Sequence, residues 1–282
     1  MTTPPHGRIN VTSEVKGYYR AVIENPPLNL ADPEFFYDLR WVIDTLDADE
    51  EARVVVFESA TPDYFLAHFD LVTGQDADRD AVGPTGLPLW PDLSTRLAQR
   101  PYVSIASIRG RARGVGSEFL LACDLRFASR ERAVLGQPEV GLGLFPGGGG
   151  TERLPRLVGR ARALEIILGC EDYDAETAER YGYVNRAIPD DELDAFVDRL
   201  ARRIASWDRP ALALAKSLVN HNSSLPPGRD LVASQEAFFG TFAWEATQQR
   251  IARVFELGFQ QPGETELRLG DVVGELGQAV TA

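Results

Sequence analysis

VLGQPEVGLGLFPGGGGTERL, from Val134 to Leu154, is the densest chemical signal in the chain. Ala133 to Leu135 reads as a short strand leading into Gln137-Pro138-Glu139. A glycine-rich turn, Gly147 to Gly150, follows, and Thr151 starts a helix with Glu152 in its first turn. Four consecutive glycines suit a flexible turn as well as a backbone that approaches a ligand, so alone they are weak evidence of phosphate binding. Glu139 alone reads as an ordinary surface carboxylate.

Upstream, IRGRARGVGSEFLLACDLRFAS runs from Ile108 to Ser129. Gly114-Val115-Gly116 leads directly into a short helix, Gly116 to Cys123. A helix start offers unpaired N–H groups and a favourable dipole, which can stabilise an oxyanion developing on a carbonyl. Glu118 falls in that first turn, where a carboxylate commonly serves only the helix dipole or cap. Two carboxylates near Gly-rich turns make an acid/base pair conceivable, but spacing does not bring them together. A third segment, DYFLAHFDL from Asp63 to Leu71, follows the β-branched strand RVVVFE, Arg53 to Glu58.

The rest of the chain supplies the frame. A hairpin is expected around Val11 to Val15 and Tyr18 to Glu24, then a helix opened by Asp32 at its N-cap and Pro33 at its first position. Phe35, Leu39, Val42, Ile43 and Leu46 form its apolar stripe. A polar loop covers Ala60 to Pro84, with a helix between Leu89 and Arg100 and strands at Val103 to Ile108 and Leu125 to Ala128. Beyond Thr151 the pattern is mostly helical: Arg160 to Leu168, Ala175 to Tyr181, Asp190 to Trp207, Pro210 to Asn220 and Leu231 to Phe259. The tail after Gln261 reads as polar and partly mobile. Strands alternating with helices indicate an α/β fold.

Composition bounds the function. The 282 residues are 44% hydrophobic and 25% charged, enough for a real core. A net charge of -13 argues against nucleic acid and anionic membranes as partners. The cations are nearly all Arg, with Lys16 and Lys216 the only lysines, so a local Arg cluster such as Arg109, Arg111 and Arg113 could still meet an anion. Arginine on a loop is more often solvated or ion-paired. Two cysteines, Cys123 and Cys170, cannot form a disulfide framework, and Cys123 reads as a buried small hydrophobe. MTTPPHGRIN has no apolar h-region and no stretch reaches membrane-spanning length, so a cytoplasmic protein is expected.

Taken together, in order and at their separations, the three segments resemble the crotonase (enoyl-CoA hydratase/isomerase) superfamily. ENPPLN (Glu24 to Asn29) and YGYVNRAIPDDEL (Tyr181 to Leu193) extend the likeness over roughly residues 20 to 220. GQPE…PGGGGTERL is its most specific part. The resemblance implies a spiral of ββα units, residues 1–205, carrying an acyl-CoA site. It also implies a helical C-terminal region, residues 206–282, that mediates homotrimers, often paired into hexamers.

By position, the resemblance makes Phe69 and Val115 the two backbone N–H donors of an oxyanion hole. It makes Glu118 and Glu139 the pair that holds and activates water. Ala67, His68, Asp70, Leu71, Gly114 and Gly147 fall in the substrate-binding turns, with the Gly147 backbone helping to orient the water. No cofactor beyond coenzyme A carried by the substrate is implied, and no metal is required; His6, His68 and His221 are too scattered to suggest one. This chain departs from the pattern at His68, usually Gly; at Phe69, usually small; and at Val115, usually Gly. Backbone donors survive all three changes. The Phe69 ring can reshape the acyl pocket, and His68 reads as a solvent-facing loop residue, with an extra polar contact as the alternative. Arg250-Ile251 stand where the family's C-terminal E-G is common, which weakens any transfer of CoA-phosphate contacts. Hydration of a 2-enoyl-CoA leads the readings. Isomerisation, decarboxylation or ring chemistry on an acyl-CoA is the next, and a non-catalytic CoA-binding protein the last.

Overall fold

The computed structural model describes residues 3–74 and 81–281. The stretch Val54 to Phe57 shows why the chain layers as it does. Val55 and Phe57 enter the main core, while Val54 and Val56, on the opposite face, pack with Leu193, Val197, Ala201 and Ile204 of a helix behind the sheet. A strand with both faces covered must be apolar at every position, which is what a buried parallel strand demands.

Two sheets grow side by side as the chain advances. β1 (Ile9–Val15) and β2 (Tyr18–Ile23) form an antiparallel hairpin. Helix α1 (Pro33–Ala48) follows; its N-cap Asp32 accepts the Phe35 N–H at 2.7 Å, a contact worth about 1 kcal/mol. Then come β3 (Val54–Ser59), β4 (Tyr64–Leu66) and α2 (Leu89–Gln99). The next turn is β5 (Val103–Ile108), β6 (Arg111–Arg113) and α3 (Val115–Ala122). β7 (Leu125–Ser129), β8 (Val134–Gly136) and α4 (Gly150–Val158) complete another. Each turn adds one strand to a six-stranded sheet, ordered β1-β2-β3-β5-β7 and then β10 (Arg186–Ile188), and one to a four-stranded sheet, β4-β6-β8 and then β9 (Asp172–Asp174). That is a ββα spiral. α5 (Arg160–Gly169), β9 (Asp172–Asp174), α6 (Ala175–Tyr181), β10 (Arg186–Ile188) and α7 (Asp190–Ala205) close it, with α7 behind the larger sheet.

The helical remainder is α8 (Arg209–Asn222), α9 (Gly228–Thr241), α10 (Glu245–Glu256), α11 (Glu264–Leu267) and α12 (Leu269–Thr281). The expected single run Leu231 to Phe259 is broken between α9 and α10. The segment after Gln261, expected to be polar and mobile, instead forms α11 and α12. Leu269, Val272, Val273 and Leu276 bury at helical spacing against Leu142, Leu144 and Val254. Glycines 270, 274 and 277 interleave with this stripe and mask it in the sequence. The polar loop expected over Ala60 to Pro84 contains β4, and residues 75–80 lie outside the described residues. Among the described residues no helix is long and apolar enough to cross a membrane.

Candidate active site

Helix α3 places Glu118. Gly114, at its N-cap, adopts φ 52° and ψ -125°, a backbone state open to glycine and strained for other residues. The glutamate side chain, 2% exposed, points at the glycine turn before α4, where Oε1 accepts the Gly148 N–H at 2.8 Å and the Gly150 N–H at 2.9 Å. Trp90 of α2 fixes the same turn by donating Nε1–H to the Gly148 carbonyl at 2.9 Å. Burial pushes the Glu118 carboxyl up to about 7, against the pull of the two N–H donors.

Glu139 follows β8 and starts the short turn Val140–Leu142. It too is buried, and burial followed by the charge of Glu118 pushes its carboxyl well above the ordinary range. The Gln137 amide lies 3.0 Å from both Glu139 oxygens on one side and 3.0 Å from Ser117 Oγ on the other. With its nitrogen toward Glu139 it donates to a carboxylate; turned over, its oxygen accepts from a carboxylic acid. Gln137 therefore suits Glu139 in either protonation state. Ser117 Oγ in turn meets the buried Tyr183 hydroxyl.

Phe69 presents its N–H for a geometric reason. Ala31 bridges this turn in parallel fashion: its N–H donates to the His68 carbonyl at 2.9 Å and its carbonyl accepts the Asp70 N–H at 3.2 Å. The bridged residue's own N–H then points the other way. Neither it nor the Val115 N–H, in the first turn of α3, has a protein acceptor among the described residues. Both residues line one cavity of about 880 Å³, open mouth included, with Glu118 and Glu139.

His68, Leu71, Gly114 and Gly147 line that cavity as well, so eight of the ten sequence-derived site residues converge there. Ala67 and Asp70 do not. Ala67 is fully buried with Leu28 and Tyr64, and Asp70 caps the following turn through the N–H groups of Val72 (2.8 Å) and Thr73 (3.2 Å). The backbone groups that hold Glu118 belong to Gly148 and Gly150, next to Gly147 in the same turn. His68 is not solvent-facing: it is buried, stacked on Phe259 and bonded to Glu266. Its partners come from the chain's far end, so no local signal announces them.

Arg109 and Arg113 are ion-paired, and Arg111 donates to the Leu267 carbonyl at 2.9 Å. Arg109 meets Asp190 and Asp194 at 2.7 and 2.6 Å, and Arg113 holds Asp172 with two 2.7 Å bonds. Sequence reasoning also missed the aromatic wall. Phe36, Trp90, Phe238 and Phe239 line the cavity around the Phe69 ring, which stands edge-on to Phe238 at 5.8 Å. Phe238 and Phe239 come from α9, so the C-terminal helices complete the pocket.

A buried carboxyl pair facing two unpaired N–H donors in an apolar cavity is an arrangement for proton transfer beside a polarised carbonyl. The family model for enoyl-CoA hydratase/isomerase matches residues 18–257, and the chain belongs to that family. It is 31% identical over 249 residues to a short-chain-enoyl-CoA hydratase of Clostridium acetobutylicum, covering 88% of this chain and 95% of the relative. A Streptomyces avermitilis structure described as a candidate enoyl-CoA hydratase superposes with TM-score 0.91 at 45% identity, covering 97% of this chain and 98% of that one. An enoyl-CoA hydratase structure from Bacillus anthracis superposes with TM-score 0.69 at 25% identity, covering 91% and 98%.

Proposed function

We propose that this chain adds water across the double bond of a 2-enoyl-CoA to give a 3-hydroxyacyl-CoA. The observation that carries the reading is the meeting of Glu118, Glu139 and the free N–H groups of Phe69 and Val115 in one apolar cavity. The thioester oxygen accepts from the two N–H groups, which stabilise the enolate charge as it forms and need no reorganisation. Glu118, whose carboxylate keeps two N–H donors, takes a proton from water as the hydroxyl bonds to C3. Glu139, held protonated by burial and by its neighbour's charge, gives its proton to C2. The enolate collapses back to the thioester with Glu118 protonated and Glu139 ionised, and passage of one proton from Glu118 to Glu139, directly or through water, restores the pair for the next turnover.

A hydrocarbon acyl chain fits among Phe36, Phe69, Trp90 and Phe238, since among the described residues the only ionisable side chains lining the cavity are those of Glu118, Glu139 and His68. Helix α8 leaves Leu214, Leu218 and Val219 more than half exposed, an apolar face that supports assembly with further copies of this chain as a homotrimer. Sedimentation of the purified protein tests the assembly. The activity is tested by following the conjugated enoyl-thioester absorbance across a panel of 2-enoyl-CoA substrates. Loss of absorbance with formation of 3-hydroxyacyl-CoA supports the reading. Interconversion of 2-enoyl and 3-enoyl thioesters without a hydroxyl product would replace it with isomerisation.

A further inference from the structure

His68 in the cavity wall and Glu266 behind it form a buried titratable pair that the hydration chemistry leaves unused. His68 precedes Phe69, and its ring stacks on Phe259 with centroids 4.5 Å apart and planes 13° apart. Nε2 lies 3.1 Å from both carboxylate oxygens of Glu266, a fully buried residue of α11. Nδ1 lies 3.0 Å from the Phe69 carbonyl oxygen. That carbonyl can only accept, and Glu266 already accepts the Gln260 N–H at 2.7 Å. Both ring nitrogens thus lie within hydrogen-bond distance of an oxygen acceptor, one from each side of the ring. Burial would raise the Glu266 carboxyl, but the charge and hydrogen bond of His68, with the Gln260 N–H and the charge of Arg113, turn it downward.

The surrounding groups tighten the same contact. Arg113 of β6 donates to the Glu266 backbone carbonyl at 2.7 Å while holding Asp172. Gln260 accepts the Leu71 N–H at 3.1 Å and donates to Asp70 at 2.8 Å. Residues 260–267 thus grip residues 68–71 from outside the cavity. Glu139 stands on the far side of Gly114, whose added Cβ would lie 3.0 Å from Glu139 Oε1 and 3.8 Å from His68 Cβ.

We propose that His68 and Glu266 form a clasp that positions the Phe69 N–H toward the thioester oxygen, making the segment Phe259–Leu267 a working part of the active site. The inference rests on the reading of Phe69 as an oxyanion donor. His68 is a positioning residue, acting through the peptides on either side of Phe69: Nδ1 holds the Phe69 carbonyl, while Ala31 holds the His68 carbonyl. The Phe69 N–H lies in the peptide before Phe69 and the Phe69 carbonyl in the peptide after it, so holding both peptides fixes the turn at Phe69 and with it the direction of the N–H, on which oxyanion stabilisation depends steeply.

The test uses butanoyl-CoA labelled with carbon-13 at the thioester carbon, bound to the full chain. It has no double bond to hydrate, and its resonance moves downfield when the carbonyl is polarised. Wild type is expected to show the downfield shift, and His68→Ala and Glu266→Ala to lose most of it. For crotonyl-CoA hydration both variants are expected to lower kcat about 10- to 100-fold with KM changed less than about threefold. The double variant is expected to be no worse than either single one. Glu266→Gln, which can still bond Nε2 while Nδ1–H stays on Phe69, is expected to recover most of kcat. Should alanine prevent folding, His68→Gln lacks the rigid span and is expected to lose the shift as well. Folded variants that keep the shift and kcat, or single effects that multiply in the double variant, would overturn the clasp. Absence of a downfield shift in wild type would overturn it too. If the shift is present and the variants lose it, but no 2-enoyl-CoA is hydrated, the clasp stands and the hydratase reading falls.

Discussion

Gly148→Ala tests how Glu118 is held. A Cβ on Gly148 would stand 2.1 Å from Glu118 Oε2, 2.8 Å from its Cδ and 2.7 Å from Trp90 Nε1. Ordinary contact needs about 3.5 Å, so the carboxylate must retreat by more than ~1 Å. It cannot do so freely, because Oε1 is tied at 2.8 and 2.9 Å to the very turn that carries the new methyl group. Displacing a reacting group by about 1 Å costs roughly 100-fold in rate. Hydrogen bonds to a charged group contribute about 1.5–3 kcal/mol each, so partial loss of two is of the same order. The expected outcome is a kcat about 100-fold below wild type for crotonyl-CoA. KM should stay within about threefold, since the Phe69 and Val115 donors are untouched. Steady-state enoyl absorbance supplies both constants, and a thermal melt confirms folding. A folded variant with kcat within about twofold of wild type would show that this cradle does not set the reacting position of Glu118.

Three further outcomes follow from the same geometry. Burial raises the Glu118 carboxyl to about 7 from an ordinary 4.5, so the folded chain binds this proton more tightly than the unfolded one. The contribution favours folding below about pH 4.5 and is lost as pH rises through 7. Glu118→Gln, which cannot ionise, is therefore expected to gain up to about 3 kcal/mol over wild type at pH 8 and nothing at pH 4, read by urea denaturation; an equal difference at both pH values would refute it. Phe69→Ala keeps the backbone donor and removes the ring packed on Phe36 and Phe238. Its ratio of kcat/KM for longer over four-carbon enoyl-CoA should rise about tenfold, and an unchanged chain-length preference would count against the ring as pocket wall. Arg113→Ala strands Asp172 and two carbonyls of α11, and should cost about 3–5 kcal/mol in chemical denaturation; a loss below about 1 kcal/mol would contradict the buried pairing.

Much of the scaffold is legible in the sequence because its signals are local. Asp32-Pro33 marks a helix start, RVVVFE a doubly covered strand, and Gly114 a backbone turn that frees the first N–H of α3. The strands of the smaller sheet were harder to read. β4, β6 and β9 have three residues each, too few for a period to emerge. The site divides similarly. Glu118, Glu139, Phe69 and Val115 sit in motif-bearing turns, and the spiral brings those turns together. Gln137 was visible beside Glu139, but its role depends on Ser117 and Tyr183, which are far apart in sequence. His68 was misread because its environment is set by Phe259 and Glu266, nearly two hundred residues away. Burial of a polar side chain by a distant element leaves no local trace.

The most direct test of the central claim is hydration in oxygen-18 water. Wild-type protein turned over with 2-enoyl-CoA should place the label at C3 of the 3-hydroxyacyl-CoA, read by mass spectrometry. Both Glu118→Gln and Glu139→Gln should slow formation of the labelled product by at least about 100-fold while still binding butanoyl-CoA. An unlabelled product, or labelled product formed at the wild-type rate in either glutamine variant, would contradict the assignment of Glu118 and Glu139 as the pair that delivers water.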